Sequence, residues 1–217
     1  MAATNPVQPD ALNDIESHTP ESLHPILEAA FTYRKQLITA VCIILVVTVA
    51  YAGYKAYAAK AESNAQAALG EIMVSSTGAD RLVKLDAMLG DVTDSVRPAV
   101  TLEAAQTAMS LGDYTKAQGY WEDLVGLTEG EMQFVARLGR AKAMILAGHG
   151  ADALKEMKEL AGLASAAYTV PVYRQLAQAA EAAGDKAEAL AAYKKLDGED
   201  IGDKPFVEYK ISQLESN

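Results

Sequence analysis

Cysteine is nearly missing from this 217-residue chain, and the single one, Cys42, lies in its most apolar stretch. No intramolecular disulfide and no cysteine-built zinc site can form. A small apolar residue facing lipid or a neighbouring helix accounts for Cys42. Histidine is almost as scarce: His18, His24 and His149 are dispersed, and none has a second ligand beside it. The Gly148-His149-Gly150 turn therefore reads as solvent-exposed rather than metal-binding. No H-E-x-x-H, no G-x-S-x-G and no glycine-rich phosphate loop occurs, which removes the common metalloprotease, nucleophile-elbow and nucleotide signatures. Carboxylate neighbours such as Glu122 and Asp123 point to different faces of a helix and read as solvated surface. Trp121 and the repeat tyrosines read as packing residues. The residues predict no catalytic site, no cofactor and no metal; an enzyme whose site is assembled from scattered residues is the remote alternative.

Basic clusters are lacking too. The net charge is -10, with 19 Lys and Arg against 29 Asp and Glu, and the acidic excess falls on both sides of the apolar stretch. Phosphate neutralisation needs a basic face, so nucleic acid is excluded as an expected ligand. β-branched residues crowd into one stretch near residue 40, whereas alanine abounds elsewhere. Alanine has the best helix propensity and lets helix axes approach closely, so the expected fold class is all-α.

The apolar stretch itself, Leu37 to Tyr54, holds eighteen residues without a charge. As a helix it covers roughly 27 Å, enough to span a bilayer core. Phe31, Tyr33, Arg34 and Lys35 on one side, and Tyr51, Tyr54, Lys55, Tyr57 and Lys60 on the other, match aromatic belts with snorkelling cations. A cleaved signal peptide is the competing reading, because Ala50-Tyr51-Ala52 resembles a cleavage site. The long acidic region before it and the helical character of the sequence after it favour a retained transmembrane helix, placed at residues 31–58. Charge alone does not orient the span. Residues 1–30, with Pro6, Pro9, Pro20 and Pro25, read as a flexible tail, in which Ser22 to Phe31 has the pattern of a short amphipathic helix.

Beyond the span the sequence repeats. GDYTKAQGYWEDL from Gly112, GHGADALKEMKEL from Gly148 and GDKAEALAAYKKL from Gly184 align without gaps at a 36-residue spacing. Each places Gly first, then alanine (Ala117, Ala153, Ala189), a large side chain (Trp121, Met157, Tyr193) and leucine (Leu124, Leu160, Leu196). This pattern predicts a helical hairpin: the glycine ends one helix, and the alanine lets the next cross it closely. The large residue then fills the space against the following hairpin. Partner helices are expected over Pro98 to Leu111, Glu131 to Ala147 and Pro171 to Ala183, with Pro98 and Pro171 near helix starts and Thr128-x-x-Glu131 as a capping box. The expected repeats are 98–130, 131–168 and 169–202. A divergent first hairpin within 59–97 matches the register only loosely at Thr77, Leu82 and Asp86, and a terminal helix from Phe206 to Leu214 covers the last repeat.

Gly112-Asp113-Tyr114 with Ala117 and Trp121, and Gly184-Asp185 with Ala189 and Tyr193, resemble the tetratricopeptide repeat family. The middle copy departs from it at His149, Gly150 and Met157. The resemblance implies an α-solenoid of three to four hairpins that binds other proteins along its first helices. By register the candidate partner-binding residues are Leu102, Gln106, Met109, Leu138, Lys142, Ile145, Arg174 and Gln178. The alternative is that these are ordinary surface or core positions. The cation that some repeats use to clamp a terminal carboxylate is replaced by Leu102.

The layout as a whole, with Tyr33-Arg34-Lys35 entering the span, Tyr51 to Gly70 leaving it and FVEYKISQL from Phe206 near the end, is similar to membrane-anchored repeat proteins that accompany the bacterial SecYEG translocon. That resemblance implies a bacterial inner-membrane protein with a cytoplasmic N-terminus and a periplasmic repeat domain. It also implies translocon subunits and a periplasmic chaperone or prolyl-isomerase-like protein as partners. A different anchored scaffold, for envelope assembly or cytochrome maturation, stays open.

Overall fold

The computed structural model describes residues 33–216, and those residues are all-α, with no strand among them. The expected tail, the Ser22 to Phe31 helix, Phe31, His18 and His24 lie outside the described residues. The helices are α1 (Arg34–Ser75), α2 (Gly78–Leu89), α3 (Arg97–Leu111), α4 (Tyr114–Leu127), α5 (Gly130–Leu146), α6 (Gly150–Leu163), α7 (Thr169–Ala183), α8 (Lys186–Asp197) and α9 (Lys204–Ser216). A 3-10 turn, Ala166–Tyr168, precedes α7.

The chain divides into two compact units between Ala59 and Lys60. In the first, α1 carries an 18-residue window of mean hydropathy 2.3, and none of that window is buried. An apolar helix at the centre of a soluble core would be covered by protein, so that reading is removed. One helix among the described residues is thus long and apolar enough to cross a membrane. Thr39 and Thr48 donate their hydroxyls to the carbonyls of Lys35 and Ile44, which satisfies both groups without water.

From α3 to α8 the second unit is built from hairpins whose helices touch where side chains are smallest. Ala117, Ala153 and Ala189 are fully buried, and so are Ala105, Ala141 and Ala177, each twelve residues earlier on the partner helix. Alanine at these positions allows helix axes to approach closely. Leu124, Met157, Leu160 and Leu196 fill the space beside these crossings, as do Trp121, 7% exposed, and Tyr193, 3% exposed. Gly112 and Gly184 end α3 and α7 in the left-handed conformation, with φ of 75° and 76°. Asp113 and Asp185 then cap the next helices by accepting from the amides of Lys116 and Glu188.

The middle copy departs from this pattern for a physical reason. A Cβ on Gly150 would meet the Ala182 carbonyl carbon at 2.5 Å and its oxygen at 2.6 Å. The first residue of α6 therefore rests directly on the backbone at the end of α7, and only glycine fits. Gly139 is a second such place, because a Cβ there would lie 2.5 Å from the Trp121 ring.

The 36-residue period extends back into α2, where Leu82 is buried as well and Leu85, rather than Asp86, holds the place of the large side chain. Leu85, fully buried, stands 36 before Trp121, while Asp86 is exposed and accepts the Tyr120 hydroxyl. The Arg97 guanidinium donates to the carbonyls of Leu89, at 2.7 Å, and Val92, at 3.0 Å. Gln133, 36 residues on, donates to Val125 and Thr128, each 36 residues on from those acceptors. The start of one hairpin thus closes the open carbonyls at the end of the previous one, twice in the same geometry. Ala65, Leu69 and Ile72 of α1 pack against this part of the core.

The expected capping box at Thr128 is not formed. Thr128 ends α4 and turns its hydroxyl back to the Leu124 carbonyl at 2.6 Å, and Glu129 precedes α5 without a side-chain cap. Helix ends compete locally for a single threonine hydroxyl, and the nearer carbonyl took it. α7 starts at Thr169, two residues before Pro171, and α9 reaches Ser216 with Val207 fully buried against the last hairpin.

Replacing Gly150 with alanine forces that contact apart and is expected to cost about 1–3 kcal/mol. Gly119→Ala, where a Cβ meets nothing within 4 Å, is expected to stabilise by up to about 1 kcal/mol. Urea unfolding of the two variants beside the parent chain measures both.

Candidate protein-interaction face

The first helices of the hairpins carry the eight residues singled out by register. Leu102 and Met109 on α3, and Leu138 and Ile145 on α5, are half-buried and lean on the two core clusters. Part of each apolar surface is spent on packing and part stays open. Gln106 is exposed. Lys142 and Gln178 occupy equivalent places one repeat apart and meet: Nζ of Lys142 donates to Oε1 of Gln178 at 2.7 Å. Beside them Gln175 donates its amide to the Leu138 carbonyl at 2.7 Å, so two hydrogen bonds join α5 to α7 along this face.

Arg174, the other expected cation, is already engaged. Both its terminal nitrogens donate to Asp203, at 2.5 and 2.8 Å. The guanidinium holds the Asp203 carboxyl below the usual carboxylate range. Arg174 therefore ties α7 to the residue preceding α9, a role that its register position did not reveal. Lys210 of α9 and Tyr193 of α8 both donate to Glu181, at 2.8 and 3.3 Å. Burial first, and then the Glu181 carboxylate, push the Tyr193 phenol up to about 12.

Sequence reasoning missed an ion-pair network between α4, α5 and α6. Glu156, whose side chain is 11% exposed, accepts from Arg137 at 2.5 Å and from Arg140 at 2.7 Å. Arg137 also reaches Glu159 at 2.8 Å, and Arg140 reaches Glu122. The Glu156 hydrogen bond is the largest influence raising the Arg137 pKa. Glu122, expected as plain solvated surface, is thus a partner of α5. No local spacing signals such a network, because its members lie 16 to 22 residues apart. His149 is exposed in its turn, as expected, with Nδ1 3.2 Å from Oε1 of Gln118.

A cleft of about 430 Å3 lies beside α2, α3 and α4. Arg97, which lines it, is spent on the Leu89 and Val92 carbonyls. Among the described residues no three His, Cys, Asp or Glu side chains are grouped to hold a metal ion.

Stacked hairpins of 36 residues with alanine crossings define a helical-repeat scaffold of the kind that presents a face to protein partners. The chain belongs to the tetratricopeptide repeat-like domain family, whose profile matches residues 31–216 and takes in the apolar segment as well as the hairpins. Among solved structures it is similar to one described as "MamA RS-1 ArsTM double mutant", with a TM-score of 0.54 and 14% identity over 72% of this chain and 95% of that one. At that identity the likeness is one of fold. No curated protein matches the chain.

Glu156→Gln leaves two arginines competing for one neutral amide and is expected to cost about 2–3 kcal/mol in urea unfolding. A raised phenol pKa means that the fold favours neutral Tyr193. Its contribution is complete below the ordinary value of about 10 and is lost as pH rises from there towards 12. Stability measured at pH 9 and pH 11 should fall, and fall less in Tyr193→Phe.

Proposed function

We propose that this chain is a membrane-anchored protein-interaction adaptor, a YfgM-like ancillary subunit of the SecYEG translocon that links export to periplasmic chaperones. The observation that carries the reading is the pairing, in one chain, of an unburied 18-residue apolar helical window with a stack of hairpins whose first helices keep apolar side chains half open. The anchor confines the hairpins to a membrane surface, and the open face offers Leu102, Gln106, Met109, Leu138, Lys142, Ile145 and Gln178 to a partner. Arg174 supports that face through Asp203. In this reading residues 31–58 span the inner membrane, 59–97 form the linker and first hairpin, and 98–217 hold three repeats and the covering helix. The N-terminus lies in the cytoplasm and the hairpins in the periplasm. A repeat scaffold of this kind acts by binding, with translocon subunits and a chaperone or prolyl-isomerase-like protein as partners. Another anchored scaffold, for envelope assembly or cytochrome maturation, shares the architecture and differs only in what it captures.

Protease added outside the inner membrane of intact spheroplasts is expected to digest the hairpins, and a photo-crosslinker at Gln106 or Ile145 to capture translocon or chaperone subunits. Digestion only from the cytoplasmic side would overturn the sidedness. Capture of a haem-handling complex would replace the translocon reading with the cytochrome one.

A further inference from the structure

The cations on α5 and α7 are not equivalent. Arg137 and Arg140 are held by Glu156, Glu159 and Glu122, and Arg174 by Asp203. Lys142 differs: its partner is a neutral amide, and among the described residues no carboxylate lies within ion-pair distance of it. An ammonium only donates, so Gln178 must present its oxygen to it. The amide nitrogen of Gln178 bonds to nothing else among the described residues. The pair therefore leaves two ammonium protons and one amide NH2 unspent, on a half-buried site where charge is screened less than in open water.

Apolar side chains flank this pair. On α5, Leu138 stands four residues before Lys142 and Ile145 three after it, one helical turn to either side, and both are half open. Such a row offers one positive point between two apolar ones. The chain as a whole is acidic, with a net charge of -10, so a polyacidic ligand is repelled at long range while one isolated carboxylate is repelled far less.

We propose that Lys142, with Gln178, reads a single acidic residue set between apolar residues in an extended segment of a partner protein. The ammonium and the Gln178 amide donate to the partner carboxylate, while Leu138 and Ile145 receive its apolar neighbours. This rests on the adaptor reading above, and it names the chemistry that the same face selects.

The test uses the full-length chain in detergent and fluorescent peptides of one apolar sequence, with Glu, Gln or Lys at the centre. The Glu peptide is expected to bind on the order of tenfold more tightly than the Gln peptide, as one charge-assisted pair provides, and the difference should shrink in high salt. Lys142→Gln should abolish the preference, and Lys142→Glu should move it to the Lys peptide, with unfolding midpoints confirming that both variants are folded. The comparison of Glu and Gln peptides on the unaltered chain needs no variant, so it stands even if a substitution disturbs the fold. Equal binding of the three peptides, with loss of all three in Met109→Asp, overturns the role of Lys142 and keeps the face as a docking surface. Binding of none overturns the assignment of a peptide site, and if crosslinks from Gln106 and Ile145 also capture no partner, the adaptor reading falls with it. Self-association that changes in Lys142→Gln while peptide preference does not makes the occupant a second copy and overturns the proposal.

Discussion

The three hairpins from α3 to α8 depend on a close crossing of two helices at alanine. Ala105 against the next helix at Ala117, and the same pairs at Ala141 with Ala153 and Ala177 with Ala189, leave no exposed surface. Side chains larger than a methyl at these points would push the axes apart and open voids around Leu124, Leu160 and Leu196. A hairpin of this size cannot bury its remaining apolar face alone, so stacking follows from the crossing. The contact of Gly150 with the backbone at Ala182 is the same constraint at its limit, with no side chain at all between one helix start and the neighbouring helix end.

Because the hairpins stack, polar groups that would be stranded at helix ends find partners in the adjoining repeat. Arg97 and Gln133 close the carbonyls of the preceding helix in positions 36 residues apart. Arg174 and Lys210 bind the terminal helix to the last hairpin through Asp203 and Glu181. The Glu156 network fastens α5 to α6, and Arg140 carries it on to Glu122 of α4. With so many cations engaged internally, Lys142 stands out as the one on α5 or α7 paired with a neutral group among the described residues, and the chemistry of the open face follows from that.

The repeat was readable early because it is written at one period in residue types that have few other uses in a helix: glycine at the turn, alanine at the crossing, a large side chain and leucine beyond it. The apolar segment was readable for a similar reason, since eighteen uncharged residues have few alternatives. The first hairpin was harder. Its turn lacks glycine at the repeat position, Ser76 standing where Gly112 does one period later. Leu85 carries the register without an aromatic ring. Thr128 misled because a capping-box pattern is local, and a threonine hydroxyl at a helix boundary has two carbonyl and amide neighbours to choose from.

What the chain determined by itself was periodic and local: helices of these lengths, their left-handed ends at Gly112 and Gly184, the alanine crossings and a lipid-compatible segment. The tertiary structure alone decided which charges meet. Arg174 had the register of a ligand-facing cation and became a tie to Asp203, Glu122 had that of idle surface and became a partner of Arg140, and Lys142 was left to a neutral amide. The reason is range: helical periodicity acts over a few residues, whereas a long side chain selects its partner from whatever the stacked neighbours bring within about 3 Å.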